Sequence, residues 1–322
     1  MKLKYKHQRF QEDAARAVTD CFLCQSHYGG TSNFLVDQGV VNGKQDNNLF
    51  HVEGFANAPL EPDVPLRDNI RRVQTSFGLK PIDQLEGDGR TLTIEMETGT
   101  GKTFTYIKTM FELNKLYGWT KFIVVVPSIA IREGVLSSFD SMSEYFAQEY
   151  GKRIQYFVYN SKQLSKIDSF AADAGMHVMI INTQAFNTSL NEDKNKEGRA
   201  GDAAARIIFS RRDEFRSRRP IDILAATHPI MIIDEPQSVL GANKTNQTRK
   251  GLKLFNSLFK LLYSATHRKD DIANMVYRLD AMDAYNKHLV KKIEVVGVEQ
   301  KGTTATNGYV YLEQILISTG NP

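Results

Sequence analysis

Apolar and polar positions alternate along this chain with two different periods. Short, nearly continuous apolar runs recur as TLTIEM, KFIVVV, RIQYFV, HVMIIN, PIMIID and LFKLLYS. Stretches with helical spacing, such as FTYIKTMFELNKLYG and IREGVLSSFDSMSEYFAQEY, separate several of them. Buried strands that alternate with helices are typical of a parallel sheet with helices on both faces. The pattern therefore predicts an α/β fold from Thr91 onward.

The segments on either side of this alternation have different patterns. The apolar residues of the first segment fall at helical spacing: Phe10, Ala14, Ala17, Val18 and Phe22. They predict a helix that packs on the main domain. From Ser26 to Leu66 the chain is polar and rich in Gly, Asn and Pro, which indicates an extended insertion or a small β-hairpin.

Two further elements are predicted after LFKLLYSATHR. The stretch KDDIANMVYRLDAMDAYNKHL, residues 269–289, has the spacing of a helix. The stretches KKIEVVGVEQKG and GYVYLEQILIS then predict a C-terminal β-hairpin.

The first candidate for chemistry is T-G-T-G-K-T, which continues directly from the strand TLTIEM. These residues predict a phosphate-binding loop: Thr98, Gly99, Thr100, Gly101, Lys102 and Thr103. The glycines permit a tight turn whose N–H groups point at one anion, and the lysine reaches the β- and γ-phosphates of ATP. The threonine hydroxyl at the end binds Mg²⁺. Met96 replaces the first glycine of the general pattern, a departure that helicase-type ATPases tolerate.

The second candidate is the acidic pair at the end of PIMIID. Asp234 and Glu235 are expected at the carboxyl edge of the sheet, beside the phosphate loop. Asp234 is predicted to hold Mg²⁺ through water, opposite Thr103. Glu235 is predicted to orient and deprotonate the water that attacks the γ-phosphate. With Lys102, these two carboxylates form the predicted catalytic set.

Two shorter motifs complete the predicted ATP site. Ser264, Ala265 and Thr266 follow a buried strand, and in helicase-type ATPases such a tripeptide couples the metal site to the nucleic-acid groove. Phe10 and Gln11 precede a predicted helix. This arrangement resembles that of many helicases, in which a glutamine before the phosphate loop contacts adenine. An ordinary polar residue near a helix start is the alternative interpretation of Gln11.

Composition narrows the class of protein only slightly. Of 322 residues, 41% are hydrophobic and 24% are charged, as in soluble globular proteins, and the net charge of +4 permits a nucleic-acid partner without requiring one. No apolar run approaches the ~20 residues of a membrane span, and no apolar segment follows MKLKYKHQRF. A cytoplasmic protein is expected. Cys21 and Cys24 lack a second pair to complete a zinc site.

Four motifs together resemble one family of helicase-like proteins. M-E-T-G-T-G-K-T, V-V-P-S-I-A-I-R-E-G-V, D-E-P-Q and S-A-T look like the restriction (Res) subunit of a type III restriction-modification enzyme, over roughly Phe10 to Leu312. The resemblance implies a RecA-like P-loop NTPase domain that uses ATP and Mg²⁺. It also implies ATP-driven translocation on double-stranded DNA before cleavage, and a DNA methyltransferase (Mod-type) subunit as partner.

The resemblance also implies a nucleic-acid-facing surface. The positions that match its motifs are Pro127, Ser128, Arg132, Asn182 and Thr183. Hydroxyls, amides and helix N-termini bind phosphate without reading base sequence. Helix capping and turn formation remain the alternative interpretation of Ser128 and Asn182. The arginines between Arg211 and Arg219 are predicted to be solvated surface, with DNA contact as the alternative.

Three domain segments follow from these predictions. Residues 1–90 hold the N-terminal helix and insertion, residues 91–285 the RecA-like ATP-binding domain, and residues 286–322 the start of a linker or a next domain. No G-R-x-x-R follows Thr266 and no acidic nuclease cluster is present. We therefore expect the N-terminal motor domain of a longer protein.

Three other functions remain open at this point. One is the motor domain of another superfamily 2 DNA or RNA helicase, such as the motor subunit of a type I restriction enzyme. A second is a non-hydrolysing nucleic-acid-binding module with a vestigial phosphate loop, against which the intact Lys102, Thr103, Asp234 and Glu235 argue. A P-loop kinase is the weakest, because such enzymes lack S-A-T.

Overall fold

The computed structural model describes residues 5–28, 32–36, 40–41, 44–45, 52–186, 207–211, 218–241 and 247–291. Contacts within the chain divide it into two compact units, Met1–Val290 and Lys291–Pro322. All described residues except Lys291 lie in the first unit. The predicted C-terminal β-hairpin falls outside the described residues, and the three predicted domain segments stay a prediction.

The strands of the described residues are numbered in chain order. They are β1 (Ser32–Val36), β2 (Val40–Val41), β3 (Lys44–Gln45), β4 (Val52–Ala56), β5 (Thr91–Met96), β6 (Lys121–Val126), β7 (Ile154–Val158), β8 (Met176–Asn182), β9 (Ile230–Asp234), β10 (Lys260–Ser264) and β11 (Met275–Leu279). The last seven form one sheet in the order β11-β5-β10-β9-β6-β8-β7, and every neighbouring pair is parallel.

The α-helices of the described residues are α1 (Arg9–Thr19), α2 (Leu66–Ser76), α3 (Lys102–Tyr117), α4 (Ile129–Tyr150), α5 (Ser165–Ala172), α6 (Pro220–Ala226), α7 (Pro236–Val239), α8 (Gln247–Leu254) and α9 (Ala281–Asn286). Short 3₁₀ turns cover Asp20–Phe22, Thr183–Ala185 and Lys269–Asp271.

Each face of the sheet packs against its own hydrophobic core. Along β6, Phe122 and Val124 belong to one core, whereas Ile123 and Val125 belong to the other, because successive side chains of a strand point to opposite faces. The first core contains residues of α1, α2, α3 and α4, and the second contains residues of α5, α6, α7 and α8. The predicted α/β fold, a parallel sheet with helices on both faces, is confirmed.

The N-terminal part of the chain is attached to this sheet through α1. Its apolar face contributes Ala14, Ala17 and Val18 to the first core, and the helix packs against α3 and β11. The insertion contains antiparallel pairs, β1 with β4 and β2 with β3, which agrees with the hairpin alternative.

Two local predictions are wrong. The stretch 269–289 is not one helix, because Met275–Leu279 forms the parallel edge strand β11 beside β5, followed by the short helix α9. Asn274 has a left-handed φ of 47°, which ends any helix there, and its side chain donates to the Thr91 carbonyl at 2.8 Å. Arg218, predicted to be solvated, is buried and pairs with Asp168 at 2.8 Å.

Candidate nucleotide and nucleic-acid site

The predicted phosphate loop connects β5 to the first turn of α3. Gly99 and Gly101 adopt φ angles of 80° and 88°, in the left-handed region that glycine enters without strain. Thr100 closes the turn from within, because its N–H and its hydroxyl both donate to the Glu97 carbonyl, at 3.2 and 2.6 Å. Thr98 lies exposed at the outer side of the loop, and its N–H donates to the Glu97 carboxylate at 2.7 Å. No side chain caps α3 at Gly101, so the first N–H groups of this helix can bind an anion.

Helix α1 contributes one side chain to this loop. Gln11 is buried, and its Nε2 donates to the Thr100 carbonyl at 2.9 Å. A Cβ added at Gly101 would lie 2.5 Å from the same Nε2, so a larger residue there would displace the Gln11 amide from the loop. Phe10, one position earlier, is partly buried against the first core. Of the predicted adenine-reading pair, Gln11 thus contacts the loop and holds its backbone.

Lys102 and Glu235 form an ion pair across the site. Lys102 Nζ lies 3.2 Å from Glu235 Oε1, and the two side chains are 11% and 27% exposed. Glu235 has a φ of 52°, which is uncommon for a residue other than glycine, and it is the N-cap residue directly before α7. Two elements far apart in sequence are therefore joined at the carboxyl edge of the sheet.

Asp234 is the more deeply buried of the two acids, at 6% exposed. Burial and the adjacent Glu235 charge raise the pKa of Asp234 to about 6, against the opposing effect of Lys102. Thr103 lies at the start of α3 and is partly buried. Within the described part of the chain, the hydroxyl of Tyr106, one turn after Thr103, is buried with no hydrogen-bond partner.

Hydrogen bonds hold the Glu235 carboxylate from the side opposite Lys102. Gln237 Nε2 lies 2.7 Å and Ser264 Oγ 2.8 Å from Glu235 Oε2. Burial alone would raise the pKa of Glu235, but these two donors and Lys102 outweigh it and lower the pKa. Glu235 is therefore ionised at neutral pH, as a base must be.

The predicted coupling tripeptide lies beside this network. Ser264 also accepts from the Thr266 N–H at 3.2 Å, which folds the chain back after β10. Ala265 is partly buried and Thr266 is exposed. His267 follows, and its Nε2 lies 3.1 Å from the Ile94 carbonyl of β5. Because burial lowers the pKa of His267, the ring is neutral at neutral pH and Nε2–H is the donor.

The five predicted nucleic-acid residues meet at the carboxyl ends of β6 and β8. Thr183 Oγ1 donates to the Pro127 carbonyl at 3.3 Å, which links the two loops. Ser128 accepts from the Ile131 N–H at 3.3 Å and caps α4, as the alternative interpretation proposed. Arg132 pairs with its neighbour Glu133 at 2.8 Å.

A cleft of about 590 Å³ opens beside these residues. Its polar lining includes Arg132, Asn160, Gln163, Lys166, Asn182 and Gln184. Cationic and amide side chains of this kind suit a phosphate backbone.

The strand order puts both groups of residues on one edge of the sheet. β9, which ends in Asp234, lies between β10, which ends in Ser264, and β6, which leads to Pro127. β8, which ends in Asn182, is the next strand after β6. Neighbouring strands lie about 4.8 Å apart, so Asp234 and Asn182 are two strand spacings, about 10 Å, from each other.

Two side chains of the site were missed by the sequence analysis. Gln237 appeared only as part of the signature D-E-P-Q, although its position two residues after Glu235 was a signal for contact with that carboxylate. Tyr106 appeared only as an apolar position of α3. Its spacing of three residues from Thr103 was the available signal, because residues i and i+3 share a helix face.

Other candidate features add nothing to this site. Cys21 is buried and donates to the Ala17 carbonyl at 3.1 Å, and Cys24 is exposed. Among the described residues, no cluster of three or more His, Cys, Asp or Glu side chains could hold a metal ion. No helix of the described ranges has the length and apolarity required to cross a bilayer.

The fold and the loop together define the class of this chain as a RecA-like P-loop NTPase domain. The family model of the type III restriction enzyme res subunit matches residues 67–269, and the chain belongs to that family.

Two curated relatives are similar over most of the chain. The Res subunit of the type III restriction-modification enzyme EcoP15I from Escherichia coli is 32% identical over an alignment of 244 residues, which covers 70% of this chain and 23% of that protein. The EcoPI Res subunit from Escherichia phage P1 is 32% identical over 238 residues, with the same two coverages. The chain thus spans about a quarter of the length of these relatives.

Among solved structures, a nuclease-deletion mutant of the Type ISP restriction-modification enzyme LlaGI, in complex with a DNA substrate mimic, gives a TM-score of 0.36. The two sequences are 14% identical, and the alignment covers 69% of this chain and 20% of the LlaGI chain.

Proposed function

We propose that this chain is the ATP-hydrolysing motor domain of a type III restriction enzyme, which couples ATP hydrolysis to movement on double-stranded DNA. The observation that carries the proposal is the Lys102–Glu235 pair at 3.2 Å, placed between an open glycine loop and a buried Asp234. In the whole enzyme, a DNA methyltransferase (Mod-type) subunit is the proposed partner and DNA cleavage the proposed outcome.

Each residue of the site has a role in this proposal. The loop from Thr98 to Thr103 and the N-terminus of α3 bind the phosphates of ATP, with Lys102 as the cation that moves from Glu235 to the γ-phosphate. Glu235, released by Lys102 but still held by Gln237 and Ser264, orients the attacking water and takes its proton. Gln11 supports the loop and is the proposed contact to adenine.

The residues present also fit a magnesium ion. Mg²⁺ is bound in such sites through one or two carboxylates together with substrate phosphates and water. Thr103 supplies a hydroxyl and Asp234 a buried carboxylate, and Tyr106, whose buried hydroxyl is unsatisfied, lies one helical turn after Thr103. The ion would supply charge neutralisation at the β- and γ-phosphates.

Nucleotide binding is tested by Lys102→Ala. Hydrogen bonds to charged groups contribute about 1.5–3 kcal/mol, so the affinity for ATP–Mg²⁺ measured by calorimetric titration should fall by about 10–100-fold. Lys115→Ala is the matched control, because Lys115 is exposed in the last turn of the same helix, about 20 Å away. Equal affinity in Lys102→Ala and wild type would refute the phosphate-loop assignment.

The catalytic role of Glu235 is tested separately by Glu235→Gln. This change keeps the shape of the side chain but removes the negative charge that holds Lys102. ATP should therefore bind as tightly as in wild type or more tightly, while phosphate release falls by about 10²–10⁴-fold. Unchanged phosphate release would exclude Glu235 as the base and favour a different route to hydrolysis.

A further inference from the structure

Tyr106 carries a buried hydroxyl that the proposed ATP chemistry has not used. Its side chain is 0% exposed, and across the described residues its Oη has no hydrogen-bond partner of good geometry. A side-chain hydrogen bond from Thr103 lowers the pKa of Tyr106, although its geometry is too poor to count as a partner for the buried Oη. Buried polar groups are nearly always paired, so an unpaired one requires a reason.

The surroundings of the phenol point to Asp234. After burial, the charge of Asp234 is the next cause that raises the pKa of Tyr106. Tyr263 lies directly opposite Asp234 in the sheet, and the Tyr106 and Tyr263 rings meet edge-on with centroids 5.7 Å apart. Paired residues of neighbouring strands point to the same face of the sheet, so Tyr106 packs on the face that carries Asp234, one helical turn after Thr103.

The neighbouring phenol shows what a structural tyrosine looks like here. Tyr263 is equally buried, but its hydroxyl lies 3.0 Å from Thr109 Oγ1 and is satisfied. The Tyr106 ring packs as a phenylalanine would, and its unpaired hydroxyl is a cost to the unliganded fold. A purely structural role would favour phenylalanine at position 106.

We propose that Tyr106 is a positioning residue of the metal site, whose hydroxyl donates a hydrogen bond to the Asp234 carboxylate when Mg²⁺ and nucleotide are bound. The inference rests on the proposed function, because it assigns Asp234 to the metal. A donor behind a ligating carboxylate fixes its orientation, and loss of such a donor costs about 10–100-fold in metal affinity. Hydrogen bonds to ionised acceptors are also the stronger kind.

The test compares Tyr106→Phe with Tyr263→Phe. Both remove one hydroxyl from a fully buried ring, but only the Tyr263 hydroxyl has a partner, Thr109, within the described residues of the unliganded protein. Three quantities are measured on each variant and on wild type. They are the midpoint of urea unfolding without ligand, the affinity for ATP in EDTA, and the Mg²⁺ concentration that gives half-saturation when Mg²⁺ is titrated into protein and ATP in a calorimeter.

Tyr106→Phe should keep or raise the urea midpoint and keep the ATP affinity in EDTA, while the half-saturating Mg²⁺ concentration rises by about 10–100-fold. Tyr263→Phe should lower the midpoint and leave the Mg²⁺ dependence unchanged. A wild-type Mg²⁺ dependence in Tyr106→Phe, with or without a loss of stability, would overturn the inference but leave the proposed function standing. If wild type itself bound no ATP–Mg²⁺, both would fall.

Discussion

Replacing Asp234 with asparagine removes a buried carboxylate whose ionisation the fold opposes. The pKa of Asp234 is raised from its ordinary value of 3.8 to about 6, chiefly by burial and then by Glu235. The native protein therefore holds this proton more tightly than the unfolded chain does. The stability that Asp234 contributes is fully present below about pH 4 and is lost as pH rises through about 6.

The size of the effect follows from the same pKa. A rise of about 2 in pKa corresponds to on the order of 3 kcal/mol, at 1.36 kcal/mol for each pKa unit. Asparagine is uncharged at every pH and nearly the same shape. Asp234→Asn should therefore be more stable than wild type by about 2–3 kcal/mol at pH 7, and the difference should shrink to near zero at about pH 4.

Urea unfolding at several pH values between 4 and 7 is the measurement. The chain has one tryptophan, Trp119, which is fully buried and serves as the fluorescent probe. Asp63→Asn is the control, because Asp63 is exposed and its replacement should change stability by about 0.5 kcal/mol or less at any pH. If Asp234→Asn gained no stability at pH 7, or kept its gain at pH 4, the ionisation of a carboxylate with a raised pKa would not be the source of the difference.

Three further predictions concern the loop, the core and the proposed DNA surface. Gly101→Ala should lower the free energy of unfolding by about 1–2 kcal/mol, because the φ of Gly101 is 88° and the new Cβ would lie 2.5 Å from a side-chain atom. Gly134→Ala, on α4 with open space around it, should raise the free energy of unfolding by about 0.5–1 kcal/mol. Thermal unfolding of the two variants measures both changes. Asp168→Ala leaves the buried Arg218 without this carboxylate and should lower the free energy of unfolding in urea by about 2 kcal/mol. The loss should be smaller than for a fully buried pair, because the Asp168 side chain is 39% exposed. Binding to unrelated DNA duplexes should be weak and fall steeply with salt, and Arg132→Ala should reduce the slope of log affinity against log salt by about 1; a preference for one sequence would contradict this prediction.

The sequence predicted the parts of the fold that local pattern determines. The strand, glycine loop and helix from Thr91 to Tyr117 were found because each part has its own local signal, and the near-continuous apolar strands required burial on both faces. The edge strand Met275–Leu279 was not predicted, because its apolar residues also fit helical spacing. Its strand conformation comes from hydrogen bonding to β5, about 180 residues earlier.

The site was predicted as a set of residues but not as a set of contacts. Local motifs indicated Lys102, Asp234 and Glu235, and the parallel fold explained why they share one edge. The hydrogen bond from Gln237 to Glu235 and the unpaired hydroxyl of Tyr106 depend on side-chain directions that no local pattern carries. The burial of Arg218 similarly depends on a partner 50 residues away.

The extent of the sheet has a practical consequence for any shortened form of this protein. The family match covers residues 67–269, but α1 lies before that range and β11 lies after it. A chain trimmed to the matched residues would lose the glutamine that holds the phosphate loop and would turn β5 into an exposed edge strand with unpaired backbone groups. Such edges template association between molecules. We therefore expect the trimmed chain to aggregate. We expect residues 5–290 to be the shortest fragment that gives a soluble preparation.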